Sequence, residues 1–500
     1  MKKLLSLCMA VFAVVTISAV SFSTPTHAAS GDPVSIPDAG LKACILATAT
    51  HANPTYITEA EAAAVTVIGY PYGNCRSQNI SNLQGLQYFT GAGIMDLSSN
   101  SISNLTPLAN LTNLNDLYIS NNLTSDLSPI SNLDLTRLDL SYTGTCPGLS
   151  LAPLAGMSNM TTLYISDCAV SSLSTLANFT NLSRLSLYNT SISDISALSG
   201  LTDLLVVDIA NNPISNITPL TNLTNAMQIS IGGSATANKL LDNSDLAQLS
   251  SLTANLKRLY INGSVITDIS PLANMTGLQY LTLDSSSISN ISPLSSLSQL
   301  VSLSVERNQI TNISPLAGLT SLTTLRIGNN QITNISPLAG LTNLTSLNMG
   351  NNQIADISPL VNLTNITQFY AYGQVVTLPN LIAGQSYSNP LRSINNGFIT
   401  PTGSTLVYNN SAHSWTFSSN GAKTATWSYA SGLSGSSEDF GGSFTQTQVV
   451  APITGSDETP AAPNTGALKL FTSGPAIYIV FGVALLAAII MVRKSTQARR

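Results

Sequence analysis

The chain has 500 residues, more than one hydrophobic core usually supports, with 44% apolar residues, 8% charged residues and a formal net charge of −5. That apolar content excludes charge-driven disorder, and the scarcity of Lys and Arg (18 in all) excludes nucleic acid as a partner, because phosphate neutralisation needs dense positive charge. The polar surface must come from Ser, Thr and Asn, which suits a secreted protein.

Lys2 and Lys3 precede an apolar run from Leu4 to Phe22, and Thr26-His27-Ala28 offers small residues for cleavage. Residues 1–28 therefore read as a secretory signal peptide. Residues 29–90 hold two helical stretches. Ile36-Pro37-Asp38 leads into Leu41–Leu46, and Ile57–Ala62 carries Thr58 three residues before Glu61, the spacing of a capping box.

Residues 91–374 repeat. Leu319–Gly340 is followed by the near-identical Leu341–Asn362, a period of 22. The inward polar position of each unit is held by Asn100, Asn122, Thr143, Cys168, Thr190, Asn212, Ser234, Ser264, Ser286, Asn308, Asn330 and Asn352. The pattern resembles that of leucine-rich repeats, about 12 units, and the resemblance implies a mainly β solenoid with a parallel sheet on its concave face. Within Leu325-Arg326-Ile327, alternation puts Leu and Ile inside and Arg outside. One unit cannot bury its own apolar residues; stacking makes a continuous core. The small polar residue hydrogen-bonds backbone that the tight coil leaves unpaired. Pro107, Pro129, Pro219, Pro271, Pro293, Pro315, Pro337 and Pro359 recur on the back, where a tight or extended segment needs no amide donor. Asp242–Leu256 lengthens one unit and is expected to be a short helical insertion on the back or edge.

Residues 375–450 alternate around Leu406–Tyr408, Trp415–Phe417, Ala425–Tyr429 and Phe444–Val450, separated by turn signals such as Asn409-Asn410 and Asn420-Gly421. This predicts a small all-β domain. Residues 451–466 form a polar linker that ends in Ala462-Pro463-Asn464-Thr465-Gly466. Residues 475–492 are long enough to span a membrane as a helix of ~27 Å, and the tail 493–500 carries Arg493, Lys494, Arg499 and Arg500, a positive flank that stays cytoplasmic.

The order pentapeptide, apolar stretch, basic tail resembles the LPxTG sorting signal of Gram-positive surface proteins, with Ala462 where that family has Leu. The resemblance implies a sortase as partner, cleavage between Thr465 and Gly466, and linkage to the cell wall. From Ile36 to about Val450 the chain resembles the internalins, in the order helical cap, 22-residue repeats, Ig-like β-sandwich. That resemblance implies a surface protein of a Gram-positive-type bacterium, anchored in the cell wall or cytoplasmic membrane, whose concave sheet engages a partner.

Once Cys8 leaves with the signal peptide, Cys44, Cys75, Cys146 and Cys168 remain, and an even count outside the cell suggests disulfides. Three connectivities are possible. We favour Cys44–Cys75, tying the cap helix to the first strand, and Cys146–Cys168 between neighbouring coils. The competing view of Cys168 is a free thiol filling the Asn slot.

Chemistry is poorly supplied. After processing the remaining histidines are His51 and His413, and no HExxH, GxSxG or phosphate-binding glycine loop occurs. No catalytic residue, cofactor or metal ligand is assigned. Binding is better supplied. Outward side chains fall two, four and six residues before each inward polar position. The middle column runs Asp96, Tyr118, Asp139, Tyr164, Ser186, Asp208, Ser230, Tyr260, Thr282, Ser304, Arg326, Asn348, Tyr370, and the flanks add Arg184, Tyr188, Arg258 and Tyr280. Tyr and Arg are enriched at binding hot spots. The expected contacts are Tyr118, Asp139, Tyr164, Arg184, Tyr188, Asp208, Arg258, Tyr260, Tyr280 and Arg326. Twelve strands at ~4.8 Å make a wall of roughly 55 Å, suited to an extracellular protein or glycan rather than a small molecule. The function expected is adhesin-type binding. The alternative is a structural envelope protein that self-associates without a foreign ligand.

Overall fold

The computed structural model describes residues 31–49, 51–70, 74–141, 147–233, 241–252, 254–377, 381–382, 385–401, 406–409, 411–417, 423–429, 440–446 and 449–450. The chain divides into two compact units, Met1–Ala451 and Pro452–Arg500. The second lies wholly outside the described residues, as do the expected signal peptide, Cys146, the Ala462–Gly466 motif, the 475–492 span and the basic tail. Among the described residues no helix is long and apolar enough to cross a membrane.

The coil Leu319–Gly340 shows how the repeat closes. Thr324–Arg326 is extended. Pleating buries Leu325 and Ile327 and leaves Thr324 and Arg326 on the other side. The chain reverses at Asn329, whose φ of 55° lies in the left-handed region that Asn tolerates better than most residues. The reversal turns Asn330 inward. Asn334 Oδ1 then accepts from Ser336 N at 2.9 Å and opens the 3₁₀ turn Ser336–Leu338. Pro337 sits in that first turn, where a missing N–H breaks no helical bond. Leu319, Leu322, Leu325, Ile327, Ile332, Ile335 and Leu338 are each at most 1% exposed. At roughly 1.5–3 kcal/mol per buried Leu or Ile, stacking such coils supplies most of the driving force.

Stacked coils form one parallel run from Val67–Ile68 to Gln368–Thr377 within a 16-stranded sheet. The inward asparagines join neighbouring coils. Asn330 Nδ2 donates to Val305 O of the preceding coil at 2.9 Å and to Ile327 O at 3.1 Å, while its Oδ1 accepts from Ile310 N at 3.0 Å. Asn122, Asn212, Asn308 and Asn352 repeat the pattern. A second asparagine column, which the repeat pattern did not single out, stitches the coils elsewhere. Asn113, Asn181, Asn225, Asn343 and Asn365 each donate to a carbonyl of the preceding coil at 2.8–3.1 Å.

Before the repeats, α1 (Ala39–Thr48) is capped by Asp38, and α2 (Glu59–Ala64) by the Thr58/Glu61 capping box. Asp38 Oδ1 accepts from Leu41 N, and Oδ2 accepts from Ser81 N and Asn82 N. Burial raises the Asp38 pKa, but these bonds together outweigh it and hold the carboxyl below its ordinary value. A disulfide joins Cys44 of α1 to Cys75, and Leu41, Cys44, Ile45 and Ala62 enter the same core as the repeats. Val67–Ile68, within the range expected for the cap, already pairs in the sheet with Ile94 and Met95. Cys168 is disulfide-bonded.

At the other end, Gln368–Thr377 crosses the expected domain boundary at 374/375 as one strand. Its first half pairs with Ser346–Asn348 and its second half, in parallel, with Phe440–Gln446. Lys423–Tyr429 adds antiparallel to that. Ser386–Ser388, Ser414–Phe417 and Leu406–Asn409 form a separate three-stranded antiparallel sheet. Gln374 occupies a further inward polar position: its Nε2 donates to Met349 O at 3.0 Å and its Oε1 accepts from Ile354 N at 2.9 Å. The Asp242–Leu256 insertion contains α3 (Asn243–Leu249), which carries its own Asp242/Asp245 capping box and packs beside the 3₁₀ turn Thr218–Asn222.

Candidate functional site

The outward middle column is a register-matched row. Each member pairs with the next from Asp96 through Tyr118, Asp139, Tyr164, Ser186, Asp208, Ser230, Tyr260, Thr282, Ser304, Arg326 and Asn348 to Tyr370. The row exists because each strand is only a few residues long and each coil restarts it in phase; parallel pairing then sets equivalent positions side by side. Tyr118, Asp139, Tyr164, Asp208, Tyr260 and Arg326 lie in this row. Arg184, Arg258 and Tyr280 lie in the column beside it, and Tyr188, 38% exposed, follows Arg184 on the same coil. The ten positions share one face and are spread along it; they do not converge on one pocket.

Two groupings stand out. Near the start of the sheet the Tyr118 ring stacks on Tyr70 at 5.9 Å and 8°. Arg137 is held more firmly protonated by a hydrogen bond to the Tyr118 side chain and then by Asp116, 3.8 Å away. Tyr70 was not among the expected contacts, because it precedes the first full repeat and no periodic signal marks it. Further along, the Arg258 guanidinium lies over the Tyr280 ring at 4.6 Å.

Charge on this face is sorted by depth. The carboxylates are drawn down onto backbone. Asp96 Oδ1 accepts from Ser98 N at 3.1 Å, Asp139 Oδ1 from Ser141 N at 2.9 Å and Asp208 Oδ1 from Ala210 N at 3.2 Å. Asp284 accepts from Ser304 Oγ and from Glu306 N, both at 2.7 Å. Burial pushes the pKa values of Asp139, Asp208 and Asp284 up, and Glu306 is raised by burial and then by Asp284. Asn348 Nδ2 donates to Glu306 Oε1 at 2.6 Å across the intervening coil. Gly328 keeps that path open, since a Cβ there would sit 3.2 Å from Glu306 Oε1 and 3.3 Å from Asn348 Oδ1. Arg137, Arg184, Arg307 and Arg326 are exposed instead, while Arg258 is half-buried against Tyr280. In the Arg137–Asp116 pair the guanidine side chain is 54% exposed and the carboxylate 15%.

Elsewhere a cleft of about 520 Å³ is lined by serines of the 170–177 and 191–197 segments and by Asp194. The Ser196 amide and hydroxyl bond to Asp194 and lower its pKa. Among the described residues no group of three or more His, Cys, Asp or Glu could hold a metal ion.

Comparison with known proteins fits this geometry. A model described as "Leucine Rich repeats (2 copies)" matches residues 180–222, 254–297, 298–340 and 320–362. The functional domain of InlJ from Listeria monocytogenes, which includes a cysteine ladder, is 20% identical with a TM-score of 0.54 over 84% of this chain and 99% of that one; it shares the fold. No curated protein matches the chain. An internalin, InlF, from Listeria monocytogenes is 32% identical with a TM-score of 0.59, over 68% of this chain and 97% of that one. Identity at that level along nearly the whole of a solved internalin, on top of repeats matched in phase, means that the chain belongs to the internalin family of leucine-rich-repeat proteins.

Proposed function

We propose that this internalin is an adhesin-type binding protein of the bacterial cell surface and that the outward face of its sheet docks an extracellular protein or glycan. The observation that carries the proposal is the unbroken row from Asp96 to Tyr370 with its Tyr and Arg flanks. A surface of that extent, set with side chains that combine area and a polar tip, suits a macromolecular partner. In this reading α1 and α2 cap the open end of the core, and the strands after Thr377 form an Ig-like module. A signal peptide exports the chain, the 475–492 segment holds it in the cytoplasmic membrane, and a sortase joins Thr465 to the wall. Tyr118, Asp139, Tyr164, Arg184, Tyr188, Asp208, Arg258, Tyr260, Tyr280 and Arg326 are the proposed contacts.

The test is a screen of the purified protein against protein and glycan arrays, repeated with a Tyr164→Ala, Tyr188→Ala double variant whose fold is checked by circular dichroism. The expected outcome is binding at least tenfold weaker, since hot-spot truncations cost about 2 kcal/mol or more each. Undiminished binding by a folded double variant defeats the assignment.

A further inference from the structure

Resting on the sheet face as the docking surface, we infer that its partner there is an acidic protein surface, recognised by exposed arginines that stand above carboxylates hydrogen-bonded lower in the face. The formal charge of the chain is −5, which taken alone points to a basic partner. Depth reverses that expectation. Arg137, Arg184, Arg307 and Arg326 are exposed, whereas Asp96 is buried and Asp116, Asp139, Asp208, Asp284 and Glu306 are half-buried behind their neighbours.

The cause is side-chain length. An aspartate at a strand end reaches the amide two residues on, as Asp96, Asp139 and Asp208 do. An arginine on the same strand cannot fold back so tightly and extends outward. These carboxylates already accept from Ser98 N, Ser141 N, Ala210 N, Ser304 Oγ and Glu306 N and lie lower than their neighbours, so they are less available to a partner than the exposed guanidinium forks, which keep free donors. Burial also lifts the pKa values of four of these acids, so the face gains positive character as pH falls.

Spacing selects a protein over a dense polyanion. At ~4.8 Å per strand, Arg137 and Arg184 lie about 10 Å apart, the half-buried Arg258 lies about 14 Å beyond Arg184, and the exposed Arg326 about 14 Å beyond that. DNA presents a charge every ~1.7 Å, which such intervals leave largely unneutralised. Scattered Asp and Glu on a folded surface match them. Tyr rings lie between, at Tyr164, Tyr188 and Tyr260, to cover the uncharged ground.

Two measurements on the intact protein test this. A Ser186→Cys variant, with its thiol in the row beside Arg184, is treated with a sulfonate-bearing and a trimethylammonium-bearing thiosulfonate, the wild-type protein serving as blank. The expected result at low salt is a roughly tenfold rate preference for the anionic reagent relative to a neutral peptide thiol. That preference should collapse in 1 M salt and on adding Arg184→Gln. A preference for the cationic reagent overturns the inference and leaves the docking face standing. The protein is then probed on an array of 15-residue peptides graded from net −5 to +5, with hyaluronate and heparin alongside. Retention of acidic peptides, weakened at least tenfold by Arg137→Gln with Arg184→Gln, supports the inference. Preference for basic peptides, or for either polysaccharide over every peptide, overturns it. Peptide binding that survives both substitutions despite an anion-preferring thiol overturns the docking face itself, and the inference with it.

Discussion

The coils closed by Asn308, Asn330 and Asn352 and those closed by Thr190, Ser264 and Ser286 share one register-matched sheet and have different interiors. In the first group each Asn side chain bridges two coils through both its amide and its carbonyl. In the second, Ser264 and Ser286 bond chiefly to each other at 2.6 Å, and Thr190 leans on Asn212, whose Oδ1 accepts from Thr190 N, Thr190 Oγ1 and Ile192 N. From this inward position the Thr190 hydroxyl donates to Leu187 O of its own coil at 2.8 Å, where an Asn amide would also reach the coil before. The irregular stretch also carries α3 and the pairing of Pro147–Leu149 with Ala169–Val170. Departures from the repeat length are tolerated where the interior bonding is already uneven.

That contrast can be broken or sharpened by substitution, with stability read from denaturant unfolding. Asn212→Ala should cost most, about 4 kcal/mol, because it strips its own coil and the Thr190 coil together. Asn330→Ala, which unpairs Val305 O, Ile327 O and Ile310 N, should cost about 3 kcal/mol. Gln374→Ala should cost about 2 kcal/mol, since among the described residues no further coil of this kind is stacked beyond it. Ser286→Ala should cost less than about 1 kcal/mol. Equal losses for Ser286→Ala and Asn330→Ala would erase the distinction between the two groups.

A smaller effect concerns the face. The Asp208 carboxyl is raised by burial, so the folded state binds its proton more readily than the unfolded chain does. Stability from this group therefore increases as pH falls through its folded pKa and is lost as pH rises through it. Asp208→Asn should be slightly more stable than wild type at neutral pH, and the two unfolding midpoints should converge in acid. A gap that widens in acid would mean that the carboxylate is stabilised in the folded protein.

Most of the outward row was legible because the repeat fixes phase. Once Leu325 and Ile327 are inside, Arg326 has one place to be, and every coil inherits the assignment; hence the row from Asp96 to Tyr370 could be written down residue by residue. What stayed hidden had no period. Tyr70 reaches Tyr118 from a segment before the first full coil. Gln374 fills an Asn position with one extra methylene, in a coil that lacks the usual asparagine pair. The depth at which Asp139 and Arg137 sit depends on which backbone amide is within reach, and residue spacing carries no record of that. The continuation of Gln368–Thr377 onto Phe440–Gln446 joins segments distant in the chain, a pairing that local alternation cannot choose.

The most direct test of the docking face places a photo-crosslinking residue at Tyr164 in one variant and at Ser295, on the 3₁₀ turn Ser292–Ser296 of the opposite side, in another. Both are exposed to a partner found in the array screen. Crosslinked product from position 164 and none from 295 is the result expected; product from 295, with none from 164, would contradict it.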